Sequence, residues 1–128
     1  MLALLNLKDF VIVENLTVEA SPGLTCLTGE TGAGKSILID ALQFVLGARS
    51  DLTLIREGAQ KAEVSAEFTP DARAAAWLKA AQIDADESVL IRRTVDTKGK
   101  SHGWINGSSV TASQLRELGE TLLDIHGQ

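Results

Sequence analysis

The sequence predicts an α/β fold, on three observations. Residues 29–36 read Gly-Glu-Thr-Gly-Ala-Gly-Lys-Ser, an unbroken match to the pattern GxxxxGK[ST]. The pattern stands between an apolar run suited to a strand and a set of apolar residues at helical spacing. The rest of the chain reads as short alternating strands divided by turn signals, with two further helical stretches. Strands, one helix after the glycine-rich loop, more antiparallel strands and a small closing helix are α/β in kind, without forming a complete alternating parallel sheet.

Taken in order, residues 2–7, 10–14 and 16–20 read as three short strands, the first two broken at Lys8-Asp9. They resemble an antiparallel flap that leads, through the turn Ser21-Pro22-Gly23, into a strand at residues 24–28. Cys26 lies in that strand and reads as a small core residue. After the loop a helix is expected from about residue 34 to 46, with Ile37, Leu38, Ala41, Leu42 and Val45 on one face and Gly47 as its stop.

Residues 62–68 alternate, with Val64, Ala66 and Phe68 on one side. Pro70 precedes an alanine-rich helix at about 71–81, anchored by Trp77 and Leu78. A strand at 89–95, with Val89, Ile91 and Val95 on a shared face, turns through residues 97–100 into a returning strand near 102–105. Asn106-Gly107 is a second tight-turn signal. Thr111 and Gln114 have the spacing of a capping box for a helix to about residue 120.

Composition sets the outer limits. A chain of 128 residues with 45% hydrophobic content fits one domain with its own core. No apolar run approaches membrane-spanning length, so no membrane partner is expected and the chain reads as soluble and cytoplasmic. Twelve basic and seventeen acidic residues give a net charge of −5, so any nucleic-acid contact must be local.

The loop pattern has a chemical reason. Gly29, Gly32 and Gly34 allow backbone conformations closed to residues with a Cβ, so that successive N–H groups turn inward around an anion. Lys35 adds a point charge toward the outer phosphates, and the Ser36 hydroxyl is placed to ligate a bridging magnesium ion. The helix that follows contributes its positive end. A nucleoside triphosphate ligand is therefore implied, against the plainer reading of a glycine-rich turn carrying an ordinary lysine. Hydrolysis needs a further acidic position for the metal. Asp124, after Leu122-Leu123, is the best internal candidate, although a capping or solvated role suits it as well; Asp96 and Asp40 are weaker.

At this level the residues carry a family resemblance. The stretch Gly-Leu-Thr-Cys-Leu-Thr-Gly-Glu-Thr-Gly-Ala-Gly-Lys-Ser-Ile-Leu-Ile-Asp-Ala-Leu at 23–42 resembles the head domain of SMC-type ABC ATPases, and within them a branch serving bacterial DNA repair. The opening Leu-Asn-Leu-Lys-Asp-Phe-Val-Ile-Val-Glu, the later Leu-Gly-Ala-Arg-Ser and Leu-Ile-Arg-Glu-Gly-Ala, and the closing Asp-Ile-His-Gly-Gln are similar to it too. The last of these fits the glutamine loop of such heads.

The resemblance implies a P-loop NTPase of the ABC/SMC head type, with residues 1–128 as its N-terminal lobe: a mixed sheet plus an antiparallel β subdomain. In that family a coiled coil follows, and a C-terminal lobe supplies the signature motif and Walker B; neither motif occurs in these residues. Expected partners are thus the chain's own coiled coil and C-terminal lobe, a second head in an ATP-sandwiched homodimer, and double-stranded DNA or its ends, in a nucleoid-associated setting. The implied activity is ATP hydrolysis coupled to head dimerisation and DNA holding in double-strand break repair and recombination, with the N-terminal lobe inactive alone.

Carried over by position, Gly29, Glu30, Thr31, Gly32, Ala33, Gly34, Lys35 and Ser36 cradle ATP, and Ser36 with Gln128 approaches Mg2+. Lys35 and Gln128 are the catalytic candidates, Gln128 by placing the lytic water; its plainer reading is a frayed terminal residue. His126 reads as a neighbour of that loop rather than a base. Arg49 and Arg56 are both nominated to reach nucleotide, each with a surface salt bridge as its alternative. Phe10 and the Lys8-Asp9 turn either border the base or, for Phe10, belong to the core. Arg92, Arg93, Lys98 and Lys100 against Asp96 give one hairpin a local charge of +3, suited either to a DNA backbone or to plain solvation. Two other functions stay open: a stand-alone small P-loop kinase or hydrolase, and a module that uses nucleotide only as a structural or regulatory ligand.

Overall fold

The computed structural model describes residues 2–19, 32–84 and 87–122. The expected strand at 24–28, together with Gly29, Glu30, Thr31, Asp124, His126 and Gln128, lies outside the described residues. The elements are β1 (Leu2–Phe10), β2 (Val13–Glu19), α1 (Gly32–Val45), a 3-10 turn (Leu52–Leu54), β3 (Lys61–Phe68), α2 (Ala72–Ala80), β4 (Val89–Asp96), β5 (Ser101–Ile105), β6 (Ser108–Val110) and α3 (Ala112–Leu122). The strands form one sheet in the order β2-β1-β3-β4-β5-β6. Each pairing among them is antiparallel, which is the antiparallel β part of the expected fold.

Alternation decides which face is buried. Leu5, Leu7, Ala62, Val64, Ala66, Phe68, Val89, Ile91, Val95 and Ile105 point to one side and are buried. Helices α1, α2 and α3 add Ala41, Phe44, Val45, Ala74, Leu78, Leu115, Leu118 and Leu122 to the same cluster. The other side carries polar residues in register: Asn6 beside Ser65, Ser65 beside Arg92, Arg92 beside Trp104. Trp104 and Arg92 stack there, the guanidinium 4.5 Å from the ring centroid.

The start of the chain differs from expectation. Instead of three short strands broken at Lys8-Asp9, β1 continues through Phe10 and makes a single hairpin with β2 around Val11-Ile12. Asp9 and Val11 take φ values of 49° and 56°, and a β-branched residue there is strained, at about 1–3 kcal/mol. The neighbouring chain holds the bend in place: Val11 N–H donates to Leu54 O at 2.7 Å, and Phe10 bridges Ile55. A propensity reading sees only local preferences, whereas this turn is fixed by a segment more than 40 residues away.

Other boundaries follow the local chemistry. Asp71 caps α2 by accepting from Ala74 N–H at 2.9 Å. The Thr111–Gln114 box is reciprocal, Gln114 N–H to Thr111 Oγ1 at 3.1 Å and Thr111 N–H to Gln114 Oε1 at 2.9 Å. Asn106 and Gly107, at φ 50° and 85°, make the tight turn that launches β6, a strand the sequence reading left out.

Candidate phosphate-binding helix and its surroundings

Gly32–Ser36 form the first turn of α1, whose leading N–H groups lack partners within the helix. No acidic residue lies in that turn, which leaves the positive helix end without a carboxylate of its own first turn. Ser36 is exposed. Further along, Ala41, Phe44 and Val45 are buried, Ile37, Leu38 and Leu42 are half-buried, and Asp40 is exposed. Phe44 therefore joins the apolar stripe expected from the sequence, and its ring lies 6.0 Å from that of Phe10.

The far end of α1 is closed twice over. Ala48 N–H donates to Gln43 O at 2.9 Å and Gly47 N–H to Phe44 O at 3.1 Å, the paired bonds that end a helix on a left-handed residue. Gly47 supplies that residue with φ 99°. Arg93 Nη1 then donates to Phe44 O at 2.7 Å and also to Ala48 O, while Arg116 Nη1 donates to Gly47 O at 2.9 Å. Arg93 is 3% exposed, and burial, with the charge of Arg116 second, pulls its pKa below the ordinary arginine value.

This corrects the DNA-facing reading of Arg93. The residue shares the parity of Ile91 and Val95 and so points into the core, where it also lies over the Phe44 ring. Arg92 does face outward, but its Nε sits 3.2 Å from Glu63 Oε1 and its guanidinium covers Trp104. Asp96 accepts from Lys98 N–H at 2.9 Å and Lys100 N–H at 3.0 Å, inside the turn. Lys98 and Lys100 remain exposed and enter no salt bridge with another described residue.

The two nominated arginines are set apart. Arg49 is exposed past the end of α1, whose axis runs about 14 Å from Ser36 to Val45 at 1.5 Å per residue. Hydrogen bonds from the Thr53 N–H and side chain hold the Asp51 carboxyl below the usual value, with the charge of Arg49 a smaller contribution. Arg56 is joined instead to the β1–β2 turn: its N–H donates to Asp9 O at 2.8 Å, and its guanidinium lies 3.8 Å from Asp9 and 3.6 Å from Glu14. Phe10, by contrast, is fully buried, so the core reading holds.

Among the described residues no group of three His, Cys, Asp or Glu side chains is placed to hold a metal. Sequence reasoning missed the pairing of Arg93 with Arg116 at the carbonyl end of α1. The signal for the first was present, a lone cation on the apolar parity of β4.

Comparison with known proteins gives one direction. Residues 1–124 match the family model described as RecF/RecN/SMC N terminal domain. The chain is 46% identical over 130 residues to the DNA repair protein RecN of Xylella fastidiosa strain Temecula1, covering all of this chain and 23% of that protein. It is 47% identical over 131 residues to RecN of Bacillus subtilis, again covering all of this chain and 23% of the relative. The chain thus spans about a quarter of the length of these curated relatives. Among solved structures, one from work on ATP-driven dimerization and DNA stimulated activation of SMC ATPases aligns with TM-score 0.74 and 30% identity, over 96% of this chain and 81% of that one. An Smc head domain from Pyrococcus furiosus, bound to the C-terminal domain of ScpA, aligns with TM-score 0.68 and 27% identity, over 94% and 32%.

Proposed function

The chain belongs to the RecF/RecN/SMC N-terminal domain family, and on that premise we propose that it is the ATP-binding, N-terminal lobe of an SMC-like ATPase head of the RecN kind. One observation carries the reading: the last five residues of the sequence GETGAGKS open a 14-residue helix whose first turn holds no acidic residue.

In this proposal residues 29–36 wrap the triphosphate with backbone N–H groups, Lys35 meets the β and γ phosphates, and Ser36 with Gln128 holds Mg2+. The exposed Ser36 hydroxyl at the head of α1 fits that metal role. Magnesium, when bound, neutralises charge developing on the phosphates. Gln128 orients the attacking water. Arg56 is favoured over Arg49 as the nucleotide contact, because its guanidinium is held only by long ion pairs that a phosphate accepting two short bonds would displace.

Hydrolysis on this view needs the chain's own C-terminal lobe and a second head, and the repair function couples ATP-driven head pairing to DNA holding. The structures aligned above and the RecN relatives support that reading. On this chain the DNA contact falls to Lys98 and Lys100, the exposed cations of the β4–β5 turn.

ATP hydrolysis by this chain alone, compared with a polypeptide joining it to its C-terminal lobe, tests the proposal. Turnover in the joined form and none in the lobe alone is expected. Equal rates would favour a self-sufficient P-loop hydrolase instead.

A further inference from the structure

We propose that Arg93, assisted by Arg116, is a positioning residue for ATP turnover: together they fix the P-loop helix α1 from its carbonyl end, so that its amino end presents the phosphate cradle in the working geometry. The inference rests on reading residues 29–36 as that cradle.

Closing the helix does not require these arginines. Phe44 O and Gln43 O already accept from Gly47 N–H and Ala48 N–H, so the Arg93 bond to Phe44 O is a second one to a satisfied carbonyl. What Arg93 adds is attachment to the sheet. Its backbone belongs to β4, its Nε donates to Ser101 Oγ on β5 at 3.0 Å, and its guanidinium lies 4.6 Å from the centroid of the Phe44 ring.

Arg116 adds attachment to α3. Its Nη1 holds Gly47 O while its Nη2 donates to Ser113 Oγ at 3.0 Å. The fit is close, because a Cβ on Gly47 would lie 2.6 Å from Ala112 O. A buried guanidinium is a costly way to fill a core position that a hydrophobic residue would fill more cheaply. What such a group supplies here and a hydrophobic residue cannot is a charged fork gripping the negative end of the helix.

The lever arm then matters. From Ser36 to Val45 the helix axis runs about 14 Å, so a small tilt at the clamped end is carried to the first turn. Misplacement of reacting groups by about 1 Å lowers rates by on the order of a hundredfold. Loss of the clamp should therefore reach kcat through geometry, leaving most contacts to bound nucleotide in place.

The test is steady-state ATPase of the full-length protein, per folded molecule, for wild type, Arg93→Gln, Arg93→Lys, Arg116→Gln and Lys35→Ala. Arg93→Gln is expected to lower kcat about tenfold or more with KM for ATP within about threefold. Arg93→Lys keeps a cation near the carbonyls but loses the fork, and should return kcat only partway, to between the glutamine variant and wild type. Arg116→Gln removes the exposed half of the clamp and should lower kcat about threefold. A wild-type kcat in Arg93→Gln, or in Arg116→Gln should the first variant not fold, would overturn the proposal, as would a lysine variant no better than glutamine. Turnover that survives Lys35→Ala sinks the cradle reading beneath it. Turnover lost in Lys35→Ala and kept in Arg93→Gln sinks the clamp alone.

Discussion

Arg56 is tied to Asp9 twice, by a backbone N–H to carbonyl bond of 2.8 Å and by a guanidinium to carboxylate approach of 3.8 Å. The backbone bond is strong and fixes where the side chain starts. The ion pair, like the one to Glu14 at 3.6 Å, is longer than a hydrogen bond and a third exposed, so it holds the guanidinium loosely. A phosphate able to accept two short bonds would displace it. Arg56→Ala in the full-length protein is expected to raise KM for ATP by about tenfold, the size of one lost charge-assisted hydrogen bond. Arg49→Ala should stay within about twofold, as for most exposed substitutions. Steady-state kinetics of both variants decides between them, and the reverse order would reassign the contact to Arg49.

Gly47 and Gly58 both have positive φ, 99° and 89°, but only at Gly47 is an added Cβ crowded; at Gly58 nothing lies within 4 Å. Gly58→Ala should cost about 1 kcal/mol for its backbone conformation. Gly47→Ala should cost about 2–4 kcal/mol, since overpacking against Ala112 and Arg116 is added to the same penalty. Urea denaturation of the two variants isolates the difference, and equal losses would show that the helix end has room.

Asp96 titrates below the usual carboxylate value because it accepts from the Lys100 N–H and, less strongly, the Lys98 N–H, with both ammonium charges adding against a desolvation cost. A folded pKa below the unfolded one means that the stabilisation is present above the unfolded value of about 3.9 and is lost as pH falls through the folded one. The stability difference between wild type and Asp96→Asn should therefore be constant near neutrality and shrink below about pH 4. Denaturation at a series of pH values checks this. A difference that does not change with pH would mean that the carboxylate is not anchoring the turn.

Lys98 and Lys100 are the hairpin cations left free of salt bridges with other described residues. If they contact a DNA backbone, the double substitution to alanine in the full-length protein should reduce the slope of log K against log salt by about 2, with about 0.9 per phosphate contact on duplex DNA. Arg93→Gln should leave the slope unchanged, because that residue faces the core. Fluorescence anisotropy at several salt concentrations measures both, and an unchanged slope in the lysine variant removes the hairpin from the DNA surface.

The helix after the glycine-rich pattern was readable because its signal is local, apolar residues at helical spacing closed by Gly47. Asp71 and the Thr111–Gln114 box were readable for the same reason, since a cap depends on neighbours three residues away. The β1–β2 turn was not, because its position depends on Leu54 and Ile55, distant in sequence. Arg93 was misread for an instructive reason. Charge suggested solvent, while strand parity, set by Ile91 and Val95, assigned it to the core, and geometry overruled composition. Phe44 was left off its helix stripe although the spacing from Ala41 already placed it there.

Titration calorimetry of magnesium-ATP into the full-length protein and its Lys35→Ala variant tests the central claim most directly. Saturable binding by wild type, weakened by about tenfold or more when the Lys35 charge is removed, is expected. No saturable heat with wild type, or the same affinity in both proteins, would contradict a phosphate cradle at residues 29–36.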